Sequence, residues 1–160
     1  MKIKGLIDED FIQYKKPSMF IVTSCCDWKC CKEGGFDKSV CQNSPLVASP
    51  TLEVEDKSLV ERYLSNSITS AIVIGGLEPF DQEEELFNLI EEFRQKTDDD
   101  IVIYTGFYPE EIEFQVRTLA ARHKNIIVKF GRYVPDKPKR YDEVLGVTLA
   151  SDNQFAVKIS

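Results

Sequence analysis

The chain has 160 residues, of which 42% are hydrophobic and 29% are charged, and its formal net charge is −7. This composition is typical of a globular domain, and the acidic excess argues against a protein that follows nucleic-acid phosphates, because such proteins need a basic surface. No stretch approaches the roughly 20 apolar residues that span a bilayer, and the first ten residues have no signal-peptide core. We therefore expect a cytoplasmic protein with neither a nucleic-acid nor a membrane partner.

Strand-like and helical segments alternate along the chain. Apolar runs predict strands at residues 19–23, 70–74, 101–104 and 125–130. Apolar residues at helical spacing predict helices from about Asp56, from Asp81 and from Pro109. Such alternation indicates right-handed βαβ units, but a closed eightfold barrel typically needs ~250 residues. We predict a single α/β domain over residues 1–160, built as a partial, open βα barrel with a mainly parallel sheet.

Local signals refine three of these segments. Asp81 and Glu84 are spaced as a capping box, and the acidic residues after Asp81 suit the first turn of a helix. Residues 34–50 are rich in Gly, Ser, Asn and Pro and predict a long loop. Residues 144–149 and 155–159 predict two short strands near the end of the chain.

All five cysteines lie within 17 residues, at positions Cys25, Cys26, Cys30, Cys31 and Cys41. In a reducing compartment such a cluster indicates metal binding or redox activity rather than disulfides. Three or four thiolates suit an iron–sulfur cluster or zinc, although the second C-x₂₋₄-C pair of a typical zinc site is missing. The C-x-x-C spacing of a thioredoxin-like protein is also absent, and His123 fits a surface or packing role within a helical pattern.

A second notable segment, Gly75-Gly76-Leu77-Glu78-Pro79, follows the most apolar strand. Its glycines allow close backbone approach to a ligand, and Glu78 offers a carboxylate to a cationic group; a tight turn into the next helix is the other interpretation. Ligand sites of parallel α/β folds lie at the carboxyl ends of the strands. The loops at residues 25–31, 75–79, 105–106 and 131–132 should therefore converge.

Together these motifs resemble the radical S-adenosylmethionine proteins, and among them the activating enzymes of anaerobic ribonucleoside-triphosphate reductase. The resemblance rests on Cys26-x₃-Cys30, on the G-G-L-E-P segment, on Tyr104-Thr105-Gly106 and on residues 129–133 and 146–154. Glu33 occupies the position of the family's third cluster cysteine. Either Cys31 or Cys41 could replace it, and Cys41 is favoured because adjacent cysteines rarely both reach one cluster.

The resemblance implies a [4Fe–4S] cluster that cleaves S-adenosylmethionine, producing a 5′-deoxyadenosyl radical that activates a glycyl-radical reductase partner. A reduced electron-donor protein is implied as a second partner, and no side chain alone is expected to be catalytic. The implied cluster ligands are Cys26, Cys30 and Cys41, with Cys31 as the alternative. The implied contacts to S-adenosylmethionine are Gly75, Gly76, Glu78, Pro79, Tyr104, Thr105 and Asn153. A cluster or zinc protein of the same fold that only binds or transfers electrons remains the alternative, since four cysteine ligands would leave no iron open.

Overall fold

Four parallel strands form the centre of a seven-stranded sheet. A computed structural model describes residues 1–160. The strands of this sheet are β1 (Lys2–Asp10), β2 (Ser18–Thr23), β3 (Leu52–Glu53), β4 (Ala71–Gly76), β5 (Asp100–Tyr104), β6 (Ile126–Phe130) and β9 (Phe155–Lys158), and β7 (Arg140–Asp142) and β8 (Val147–Leu149) form a separate pair. Their spatial order is β3-β1-β2-β4-β5-β6-β9, in which β2, β4, β5 and β6 are parallel and the remaining pairings antiparallel. The sheet is open, which confirms the predicted α/β class.

Three of the four helices cover one face of the sheet. The helices are α1 (Lys29–Gly34), α2 (Asp56–Ser65), α3 (Glu83–Arg94) and α4 (Glu113–Arg122). Along β4, Ile72 and Ile74 pack into the large core that α2, α3 and α4 share with the sheet. Val73 alternates to the other face, where Leu149 of the β7–β8 pair belongs to the same smaller core. None of the helices combines the length and apolarity of a membrane span.

Several predicted boundaries differ from those of the structure. Helix α3 begins at Glu83 with no side-chain cap, and Asp81 instead lies in a short 3₁₀ turn, Pro79–Gln82, where its carboxylate accepts the backbone N–H of Asp27. Pro109 likewise opens a 3₁₀ turn, Pro109–Glu111, and not α4 itself. The predicted loop at residues 34–50 contains two further 3₁₀ turns, Lys38–Val40 and Ser44–Ala48. Strand β1 is not among the elements predicted from the sequence.

The end of β4 is closely packed between its two neighbouring strands. Gly76 has φ of 97°, and a Cβ added there would lie 2.5 Å from Val22 Cγ1 of β2. A Cβ at Gly75 would lie 2.9 Å from Tyr104 Cβ of β5. Both glycines therefore allow β2, β4 and β5 to end close together, where the loops after them meet.

We expect Gly76→Ala to lower the free energy of unfolding by about 2–4 kcal/mol, since backbone strain and overlap with Val22 add. Gly5→Ala is the matched control, because its new methyl would meet Val22 Cγ2 at an ordinary 3.7 Å and Gly5 has no positive φ. The control should change stability by less than about 1 kcal/mol. Urea titrations of the three proteins measure both values, and equal losses would contradict the packing argument.

Candidate metal centre

The four loops that follow the parallel strands converge on one cleft. The cleft has a volume of about 410 Å³. Its lining includes residues after each parallel strand: Cys26 and Cys30 after β2, Leu77 and Glu78 after β4, Thr105 and Gly106 after β5, and Gly131 and Arg132 after β6. The structure thus confirms that the unusual loops meet at the carboxyl edge of the sheet.

Three of the five cysteines line the cleft. Cys26 and Cys30 come from the segment after β2, and Cys41 approaches on the loop after α1. Cys31 is only 6% exposed and does not line the cleft, and neither does Cys25. The geometry therefore offers three thiols to one bound group, the donor number that binds three irons of a [4Fe–4S] cluster.

The cysteine segment is fastened to the sheet through its backbone. Three hydrogen bonds join it to the chain between β4 and α3: Ser24 N–H to Gln82 Oε1 (2.9 Å), Asp27 N–H to Asp81 Oδ2 (2.7 Å), and Glu78 N–H to Cys25 O (2.7 Å). At its far end Trp28 takes φ of 64° and starts α1. The first two cleft cysteines are therefore placed before any ligand binds.

Burial disfavours charge on the thiols of this segment. It raises the pKa of Cys26 to about 12 and that of Cys31 to about 11, and it also raises the pKa of Cys41. A bound metal supplies the positive charge that such thiols need to become thiolates. Sulfur donors in such surroundings therefore suit a soft metal or an iron–sulfur cluster.

Cys26 Sγ also lies within 4.8 Å of carboxylate oxygens of Asp27 and Asp81. Asp81 already accepts a hydrogen bond from the backbone of Asp27, and both carboxylates are exposed. One thiolate with two surface carboxylates is a poorer match to an iron–sulfur cluster than the three thiols of the cleft.

Glu78 is the buried carboxylate of the cleft, with 8% of the residue exposed. Its Oε1 accepts the Thr105 hydroxyl at 2.7 Å and the Phe80 N–H at 3.2 Å, and its Oε2 accepts the Gly106 N–H at 2.8 Å. Burial outweighs these bonds and raises the pKa of Glu78 to about 7. A positive group in the cleft would stabilise the charged carboxylate.

Lys129 on β6 places a buried ammonium group in the same cleft. Its Nζ donates to Gly131 O at 2.9 Å and approaches Thr105 O at 3.5 Å. Burial lowers its pKa to about 8, and the nearby Glu78 charge opposes this shift. Lys129 and Glu78 therefore place a buried cationic and a buried anionic side chain beside the cleft thiols.

The predicted cofactor contacts divide into two groups. Gly76, Glu78, Tyr104 and Thr105 line the cleft together with the three cysteines. Gly75, Pro79 and Asn153 do not line it. The Asn153 amide donates instead to Arg132 O at 2.8 Å and to the Tyr108 hydroxyl at 3.2 Å. His123 is buried far along the chain from the cleft cysteines, 3.5 Å from Glu91.

The hydrogen bonds made by two residues near the cleft, Asn43 and Glu111, could not be predicted from the sequence. The Asn43 amide donates to Gly76 O at 2.5 Å, which links the loop carrying Cys41 to the end of β4. Glu111 accepts hydrogen bonds from Lys29 and Arg132, which both line a crevice together with Cys26 and Cys30. In the sequence Asn43 is one polar loop residue among many and Glu111 is an acidic residue near a helix start, so neither position stands out.

We expect Cys41→Ser to lose most of its bound iron and Cys31→Ser to keep it, because Cys41 lines the cleft and Cys31 does not. Iron per chain after anaerobic reconstitution measures this directly. Cys25→Ser is the matched control, since Cys25 also lies outside the cleft lining. Iron loss from Cys31→Ser with retention in Cys41→Ser would contradict the assignment.

The comparison with protein families agrees with this donor set. The family model described as "4Fe-4S single cluster domain" matches residues 18–154, which include all five cysteines and all four parallel strands. No curated protein matches the chain, and no solved structure does. The match covers most of the chain, and the chain belongs to the 4Fe-4S single cluster domain family.

Proposed function

We propose that this protein is a radical S-adenosylmethionine activating enzyme whose [4Fe–4S] cluster is held by Cys26, Cys30 and Cys41. Its partner would be a glycyl-radical enzyme of the anaerobic ribonucleotide reductase type, and a reduced electron-donor protein would supply the electron. The single domain over residues 1–160 would carry the whole site.

The observation that carries the proposal is the number of thiols on the cleft. Three thiolates bind three of the four irons in a [4Fe–4S] cluster, so one iron remains for a further ligand. Under this proposal S-adenosylmethionine would bind to that iron. A fourth cysteine in the cleft would have argued against this function, but Cys31 lies outside the lining.

The charges of the cleft support an amino-acid group as the ligand. Lys129 Nζ has three N–H donors, of which Gly131 O and Thr105 O take two, so one remains for a ligand carboxylate. Glu78 Oε2 accepts one hydrogen bond and has capacity for another from an amino N–H. The carboxylate and the amino N–H of a methionyl group would satisfy both side chains, each of which is costly to bury unpaired.

A cluster held by Cys26, Cys30 and Cys41 would supply the one-electron reducing chemistry that cleaves S-adenosylmethionine into methionine and a 5′-deoxyadenosyl radical, which would take a hydrogen atom from the partner's glycine. The chain's own residues hold the reactants and limit the access of water. Phe20, Val22 and Leu77 provide apolar lining, which suits the protection of a reactive species. Glu78 and Lys129 would orient the ligand through hydrogen bonds and form no covalent bond to it.

The direct test is the release of 5′-deoxyadenosine from anaerobically reconstituted protein supplied with dithionite and S-adenosylmethionine. We expect 5′-deoxyadenosine and methionine to form in the native protein and neither in Cys26→Ser. A cluster-loaded protein that forms no 5′-deoxyadenosine would reject the enzyme and leave electron transfer or cluster binding. Protein that binds zinc and no iron would reject both the enzyme and the iron–sulfur protein that only binds a cluster or transfers electrons.

We expect Lys129→Met to weaken binding of S-adenosylmethionine roughly 10- to 100-fold, the usual cost of losing a hydrogen bond to a charged group. Lys158→Met is the control, because Lys158 lies on the adjacent β9, is exposed and bonds only the Asn125 side chain. Titration of cluster-loaded protein with S-adenosylmethionine measures both affinities, and equal affinities in the two variants would count against an ionic role for Lys129.

A further inference from the structure

An ion-pair network of four side chains lies beside the cleft. It consists of Lys29 and Glu33 on α1, Glu111 in the turn before α4, and Arg132 after β6. Arg132 binds Glu111 through both terminal nitrogens, at 2.6 and 2.7 Å, and its Nε lies 2.9 Å from Glu33. Lys29 Nζ lies 2.5 Å from Glu111 and 3.9 Å from Glu33. The network thus joins two charged residues of the cysteine-bearing helix to the rim of the sheet.

Glu111 is the centre of this network. Its carboxylate accepts four hydrogen bonds: two from Arg132, one from Lys29 and one from the backbone N–H of Tyr108 at 2.7 Å. The bond with Arg132 is the main cause that lowers the pKa of Glu111 to about 2, so the carboxylate is charged at neutral pH. The side chain of Arg132 is 9% exposed and that of Glu111 is 20% exposed, so water screens the pair weakly.

The two cations of the network reach the metal centre itself. Lys29 and Arg132 line a narrow crevice together with Cys26 and Cys30. Lys29 directly precedes Cys30 in the chain. Any movement of these cations changes both the position of the cysteine segment and the charge beside it. The proposed chemistry uses no atom of Glu111.

We propose that Glu111 is a positioning residue for the iron–sulfur centre: it holds the Cys26–Cys30 segment against the β6 rim through Lys29 and Arg132, and it balances their charge. This inference rests on the cluster site and not on cleavage of S-adenosylmethionine. It can therefore be tested whether or not 5′-deoxyadenosine forms.

The charge balance gives a readout that a purely structural role would not change. Two cations and two carboxylates make the intact network neutral. Neutralising Glu111 leaves one excess positive charge next to the cluster, and positive charge stabilises the reduced, more negative cluster. The reduction potential should then shift in the positive direction, even in a protein that folds normally.

The experiment compares the Glu111→Gln, Glu111→Asp and native proteins after anaerobic reconstitution. Two quantities are measured for each: the rate at which a chelator removes iron, and the reduction potential of the cluster by potentiometric titration. We expect Glu111→Gln to lose iron about 10-fold faster, the scale seen when residues behind metal ligands are changed, and to have a more positive potential. Glu111→Asp keeps the charge but shortens the reach, so it should lose iron faster at a nearly native potential.

Glu113→Gln is the matched control, because Glu113 lies two residues away in an exposed pair with Arg117 and does not line the crevice. It should match native protein in both measurements. Glu33→Gln removes the half-exposed carboxylate of the network and should give a smaller positive shift, which keeps the test decisive if Glu111→Gln does not fold. The proposal would be overturned if Glu111→Gln and Glu33→Gln both lost iron at the native rate and had the native reduction potential. If only Glu33→Gln folds, native values in that protein alone would overturn it.

Discussion

The arrangement of the site depends on the hydrogen bonds of Glu78, whose carboxylate is buried. It accepts hydrogen bonds from Thr105 and Gly106, which ties the loop after β5 to the loop after β4. The backbone N–H of the same residue donates to Cys25 O and so holds the cysteine segment. Removing these partners would leave a buried carboxylate without hydrogen bonds, which would lower the free energy of unfolding by several kcal/mol. Glu78 consequently links all three loops to one another.

This arrangement also depends on the absence of side chains at the end of β4. Gly75 packs against Tyr104 and Gly76 against Val22, at distances that leave no room for a Cβ. The first role of the two glycines is therefore close packing between strands. The sequence suggests that both glycines contact a ligand. Of the two, only Gly76 lines the cleft, so only Gly76 is placed for such a contact.

The elements that could be predicted from the sequence are those whose residues are decided by burial. The apolar run of β4 is buried on both faces, and the apolar stripe of α3 faces the large core, so both patterns are visible locally. Asp81 could not be placed in the same way, because its partner Asp27 is 54 residues away and outcompetes a local helix cap. Adjacency to Cys30 counts against Cys31 in the sequence, but the path by which the loop after α1 brings Cys41 to the cleft is not determined by local patterns.

The structure holds Cys26 and Cys30 more firmly than Cys41, and this difference affects the order in which the three thiols would bind a cluster. Cys26 and Cys30 belong to a segment fixed by backbone hydrogen bonds and by the ion-pair network. The loop carrying Cys41 is attached by fewer long-range contacts, chiefly Asn43 to Gly76 O and Lys4 Nζ to Ser49 O at 2.7 Å. Ordering a chain segment costs conformational entropy, so the two fixed thiols lose less of it on binding than Cys41 does. In the proposed centre, Cys26 and Cys30 would receive the cluster first, and coordination by Cys41 would then add the contact that its loop otherwise lacks.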